Sequence, residues 1–162
     1  MGVSDADAYL FPCCCEYSSS VLGGRGGNRL ILAQDIAKVE ITGLETSQYL
    51  DKLTTPIPST ATSPSSALTI AKQTDRVYSP AGGPEAPVAI KEGGKEKFSI
   101  VRDNLNEVVV WNPWESGAKG LSDFAPKEGY KEMVCVEAGA VKGWVKLEGG
   151  ESWEGGQSIS SV

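Results

Sequence analysis

Two carboxylates stand out for the residues around them. Glu137 closes the run EMVCVEAGA, residues 132–140. In an extended strand Met133, Cys135 and Glu137 share one face, and Val134 and Val136 share the other. Both faces are largely apolar, so the strand reads as a central one. A carboxylate at the mouth of such a strand is poorly solvated, and desolvation raises its pKa and makes it a better proton acceptor. Glu137 is therefore either a general base or a strand-end glutamate reaching water, and the run alone leaves the two readings level. Asp75 lies in TDRVY, with Val77 on its face and Arg76 and Tyr78 on the opposite one. An acid beside an arginine suits sugar hydroxyls. It suits pairing across adjacent strands still better, because charge pairs on strands are common.

A second constellation sits in VVVWNPWESGAKGLSDF, residues 108–124. Val108, Val109 and Val110 are β-branched and favour an extended, partly buried backbone. Trp111 and Trp114 then bracket Asn112 and Pro113, and Pro113 cannot donate to a sheet ladder. Two indoles at a strand's end, beside a forced turn, either floor a sugar pocket or plug a core. Asn112 offers donors and an acceptor in a rigid turn, which suits carbohydrate recognition. Aromatics in β proteins mostly fill cores, so Trp111, Trp114, Trp144 and Trp153 are each expected as packing. Trp111 should then point mainly into the fold, with Pro113 turning the chain at a pocket rim.

Other chemistries lack their parts. The chain has no histidine, so neither a Ser–His–Asp nor a Cys–His arrangement can be assembled. GGRGGN, residues 23–28, lacks the Lys-Ser/Thr ending of a phosphate-binding loop and follows no clear strand. Cys13, Cys14 and Cys15 are consecutive, so in extended chain they alternate faces, whereas zinc sites space two thiolates to converge. No metal site is expected, and the cluster has no hydrophobic or basic anchor beside it to favour lipidation. Cys135, within an apolar run, reads as a small buried hydrophobe.

The 162 residues have the length of one ordinary domain. Hydrophobic residues make up 40%, and 19 glycines and 9 prolines make the chain turn-rich, which points to an all-β fold with many connections. A net charge of −6, with the four arginines scattered, argues against nucleic acid as a partner. No apolar run approaches a membrane span. The N-terminus carries Asp5 and Asp7 where a secretory signal needs basic residues, and Ala6 stands where a myristoylation pattern needs Ser or Thr. The expectation is a cytoplasmic protein with no membrane contact.

Along the chain, residues 1–28 have no sustained period and little apolar surface to offset chain entropy, so they read as a loosely ordered leader. From Leu30 the period becomes two: LILA, then KVEITGL, with Val39 and Ile41 on one face and Lys38, Glu40 and Thr42 on the other. TTPIPSTATSPSSA, residues 54–67, reads as a long surface loop. ALTIAKQTDRVY resumes the strand pattern, and VAIKEGGKEKFSIV is a hairpin with Gly93 and Gly94 in its turn. VVVW, MVCVEA, GWVKL and SWEGGQSIS follow as strands, with one short helical turn expected at Ala118–Phe124. The sum is an antiparallel β-sandwich.

In order, DIAKVEITGLETSQYLDKL, TDRVY, VVVWNPWESGAKGLSDF, GYKEMVCVEAG and VKLEGGESWEGGQSIS resemble the C-terminal half of the glucose-6-phosphate 1-epimerases, within the aldose 1-epimerase (galactose mutarotase-like) superfamily. The resemblance runs from about Gln34 to Ile159. It implies a β-sandwich of which residues 29–162 form an incomplete part, and a cofactor-free reaction on a hexose 6-phosphate. In that reaction a glutamate takes the C1 hydroxyl proton, a histidine protonates the ring oxygen, and the open aldehyde rotates before reclosing on the other anomer. By motif, Glu137 matches the base and Asp75 an aspartate that holds sugar hydroxyls, with Trp111 and Asn112 supporting the site. The family's histidine belongs just before the DI block, where this chain reads NRLILAQDI and Asn28 is nearest. The basic residues that grip the phosphate belong mainly to the family's other half. The resemblance thus implies an epimerase, truncated and impaired, and prone to self-association through faces that half would cover. The alternative is a non-catalytic carbohydrate-binding domain.

Overall fold

The computed structural model describes residues 30–54, 59–143 and 145–162. The three adjacent cysteines, Asn28, the leader and Trp144 lie outside the described residues. The strands are β1 (Leu30–Leu32), β2 (Val39–Thr42), β3 (Gln48–Asp51), β4 (Ser59–Thr62), β5 (Leu68–Thr69), β6 (Thr74–Ser79), β7 (Val88–Glu92), β8 (Lys95–Asp103), β9 (Glu107–Asn112), β10 (Met133–Gly139) and β11 (Gly156–Ser161). They form a six-stranded sheet in the order β1-β10-β9-β6-β3-β4 and a five-stranded sheet in the order β11-β8-β7-β2-β5. Every pairing among the described residues is antiparallel. The expected antiparallel, all-β architecture is what the chain adopts.

The core follows from the period of two. Val39 and Ile41 of β2, Val88 and Ile90 of β7 and Ile100 of β8 meet Tyr78 of β6, Val108 and Val110 of β9, and Val134 and Val136 of β10 in one buried cluster. Removing each such side chain from water contributes roughly 1.5–3 kcal/mol. The alternating partners, including Asp75, Val109, Trp111, Cys135 and Glu137, therefore belong to the outer face of the six-stranded sheet.

The hairpin between β7 and β8 turns on Gly93 at φ +58° and Gly94 at φ +76°. A two-residue turn that matches strand twist needs positive φ at both positions, which glycine adopts without strain. The corner between β1 and β2 is stapled by Glu92, whose Oε1 accepts from the backbone N–H of Gln34 and of Asp35, both at 2.8 Å.

Three local expectations are corrected. Residues 54–67 are not all loop, because Ser59–Thr62 forms β4 at the sheet edge, paired with β3. Its Ser/Thr composition reads as loop, but an edge strand with alternate residues in solvent tolerates it. The helix is α1 (Trp114–Gly120), not Ala118–Phe124. Pro113, at φ −68° and ψ −20°, is already helical and pre-sets the first turn instead of delaying it. GWVKL forms no strand at its described positions, and Val145 and Leu147 are about half exposed, at 47% and 50%. β-Propensity without a partner strand does not make a ladder. A 3₁₀ helix at Lys127–Glu132 leads into β10. Among the described residues no helix is long and apolar enough to cross a membrane, and no group of three or more His, Cys, Asp or Glu is placed to hold a metal.

Candidate active site

β9 lies between β10 and β6, and its register fixes where the two singled-out carboxylates stand. Cys135 pairs with Trp111 and Glu137 with Val109. On the other side Asp75 pairs with Trp111 and Val77 with Val109. Glu137 and Asp75 thus project from the same face, two strands apart and two residues out of line, or about 12 Å between Cα atoms from strand spacing and rise. Both are half-buried, and around them Val77, Met133 and Cys135 are buried. The surface between the carboxylates is apolar, with the Trp111 indole at one end.

Asp75 is held by Lys52, one residue past the end of β3. The Lys52 ammonium donates to Asp75 Oδ1 at 2.8 Å, and the Lys52 backbone N–H donates to the Asp75 carbonyl at 3.0 Å. Arg76 turns the opposite way, between the sheets. Its Nε donates to Asp51 Oδ2 at 3.1 Å, its Nη1 to the Tyr78 hydroxyl at 3.3 Å, and it lies 4.7 Å from the centre of the Tyr49 ring. The Tyr49 and Tyr78 rings are 5.0 Å apart. Burial pushes the Tyr78 phenol up from its ordinary value, against the opposing pull of Arg76. The Asp–Arg neighbours therefore do not act together on a ligand: one faces outward and the other braces the interior.

Asn112 is fully buried on the inner face. Its amide nitrogen donates to the Tyr130 carbonyl at 2.8 Å and the Met133 carbonyl at 2.7 Å, and its oxygen accepts from the Trp114 N–H at 2.8 Å. The amide is committed within the protein and joins the end of β9 to α1 and to the start of β10. Trp114 takes φ +54° beyond this turn, an uncommon conformation for a bulky residue. It packs against the core and lies 5.5 Å from the Tyr130 ring.

Trp111 corrects the expectation of a core indole. It is only partly buried and faces outward, forming with Pro113 part of the wall of a cleft of about 300 Å³ against α1. Pro113 is buried and lines the cleft. Alternation along β9 decides the matter: with Val110 and Asn112 pointing inward, Trp111 must point out. Lys52 and the cleft residues Gln73, Asp123 and Phe124 escaped the sequence reading. Lys52 lies in the YLDKL run, far from TDRVY in sequence, and only the pairing of β3 with β6 brings it to Asp75, whereas the cleft residues lie in loops without a period.

The aldose 1-epimerase family model matches residues 29–160, and the chain belongs to that family. It is 38% identical over 128 residues to a Cenchrus ciliaris protein named "Putative glucose-6-phosphate 1-epimerase", covering 79% of this chain and 37% of that one. Among solved structures, a "putative mutarotase (YeaD)" from Salmonella typhimurium is 30% identical with a TM-score of 0.56, over 68% of this chain and 36% of that one. A chain known as HI1317 shares the fold at 22% identity and a TM-score of 0.61, over 82% of this chain and 45% of that one. The chain therefore spans between 36% and 45% of the length of these relatives.

Proposed function

We propose that this chain carries the base-bearing part of a hexose-6-phosphate 1-epimerase site. The observation behind this reading is the shared face: Glu137 and Asp75 project from one side of one sheet, on either side of β9. Glu137 takes the proton of the C1 hydroxyl as the bond from C1 to the ring oxygen breaks. Asp75 accepts hydrogen bonds from the sugar hydroxyls, with Lys52 fixing its direction. The ring oxygen leaves with an electron pair and needs a proton, and this chain contains no histidine to give one. Losing one partner of an acid–base pair typically costs on the order of 10²–10⁴ in rate. The reaction needs no redox step or group carrier, so it proceeds without a cofactor.

Anomer-exchange NMR on glucose 6-phosphate tests this. The chain alone is expected to give no exchange above the spontaneous rate. Joined to a family-like N-terminal half with its histidine, it should become active, and Glu137→Gln should abolish that activity. An unchanged rate in the Glu137→Gln form of the active fusion would sink the assignment. The absence of histidine also favours a second reading, a carbohydrate-binding domain without turnover. Saturable binding of glucose 6-phosphate, with no exchange in either the chain or the fusion, would select it.

A further inference from the structure

The cleft beside Trp111 is separate from the two carboxylates of the proposed reaction, since neither Glu137 nor Asp75 lines it. Its walls are nonetheless chemically specific. Trp111, Phe124 and Pro113 give flat apolar surfaces, while Gln73 and Asp123 add an amide and a carboxylate. That combination matches a pyranose, whose ring has an apolar C–H face and a rim of hydroxyls. Small-molecule sites commonly pair apolar walls with a few placed polar groups, and about 300 Å³ is the small end of their range. One sugar ring with some water fills such a space.

The Gln73 amide is already oriented. Its Oε1 accepts from the Ser116 hydroxyl at 2.9 Å. Gly117 lets α1 approach closely, since a Cβ there would come within 3.0 Å of Gln73 Nε2. Charge narrows the ligand further. No lysine or arginine lines the cleft among the described residues; Lys127 donates to the carbonyl of the lining Leu121, and the Asp123 carboxylate offsets its charge. The walls thus carry no cationic excess to hold a phosphate, and a neutral polyol needs none.

We propose that this cleft is a second carbohydrate site, taking one neutral, unphosphorylated pyranose ring beside the epimerase face. The adjoining register of Trp111 and Asp75 puts it next to the reacting sugar without overlapping Glu137. A ring bound here is therefore held and not turned over.

The probe is methyl β-glucoside, a neutral pyranose locked against anomerisation. Its binding to the full chain is read by tryptophan fluorescence and by saturation-transfer NMR. Millimolar, saturable binding is expected, with transfer from the Trp111 and Phe124 rings. Gly120→Leu provides the block: Gly120 lines the cleft, and a Cβ there meets nothing within 4 Å, so a larger side chain is accommodated without displacing protein atoms. It should weaken the glucoside by at least about tenfold, and Asp123→Ala should weaken it too. Glu137→Gln should leave binding unchanged, which separates this site from the proposed reaction. Glucoside affinity equal to the unmodified chain's in both cleft variants would overturn the proposal, as would tighter binding of inorganic phosphate than of the glucoside. Should Gly120→Leu fail to fold, Asp123→Ala and the ring-specific saturation transfer decide the matter alone.

Discussion

Asn112 and Trp111 are neighbours that serve opposite sides of one sheet, and their mutational costs should differ accordingly. Asn112→Ala removes a buried amide that serves two carbonyls and one backbone N–H, so it should cost about 2–4 kcal/mol. Trp111→Ala empties a partly exposed wall and should cost less than the roughly 3–5 kcal/mol of a fully buried indole. Denaturant unfolding of the two variants checks the order, and a larger loss at Trp111 would mean that the ring faces the core after all. Tyr78 supplies a pH test. Its folded pKa lies above the ordinary phenol value of about 10, so the neutral form is favoured in the folded state. That contribution is fully present below the unfolded value and is lost as pH rises through the folded one. Stability should fall above about pH 10, and Tyr78→Phe should remove part of that fall. An alkaline profile identical in the two proteins would remove Tyr78 as its source.

At the scale of elements, two glycines with the same backbone hand should respond differently to a methyl group. Gly93, at φ +58°, faces open space in its hairpin turn, so Gly93→Ala pays only the left-handed backbone cost of about 1–2 kcal/mol. Gly43, at φ +88° just after β2, would drive its Cβ into the Pro87 carbonyl oxygen, and Gly43→Ala should cost roughly 2–5 kcal/mol. Thermal unfolding of the pair is the measurement, and equal losses would mean that the Gly43 contact relaxes freely. The hairpin was legible because its Gly-Gly turn and its two alternating strands agree. The strand-mates of Glu137 and of Asp75 were legible for the same reason, but that the two share one sheet face was not, because alternation does not give the strand order that brings them together. β4 was not legible, because Ser and Thr serve an edge strand and a loop equally well. α1 was misplaced because a proline ends one element and begins another with the same φ. The cleft was invisible to periodicity, being built where a strand end, a short helix and loop residues converge.

At the scale of the molecule, each sheet ends, among the described residues, in strands with no further partner: β1 and β4 on one, β11 and β5 on the other. Beside these edges lie Leu32, 58% exposed, and Val162, 82% exposed. Exposed edges with adjacent apolar side chains invite pairing with another chain. Concentration-dependent self-association, with binding of a hydrophobic dye, is the expected behaviour in sedimentation and fluorescence. A dye-silent monomer with one sharp unfolding transition would count against it. The Asp75–Arg76 step has a consequence of a different kind. Since successive residues of β6 face alternate chambers, lengthening the connection before it by one residue leaves its chemistry intact, whereas one residue inserted within it exchanges the two. The outer surface would then present a guanidinium where it had a carboxylate, and the interior would receive an unbraced acid. Changes of length are therefore tolerated in the loops that flank β6 but not within it, where one residue gained or lost swaps what the two faces present.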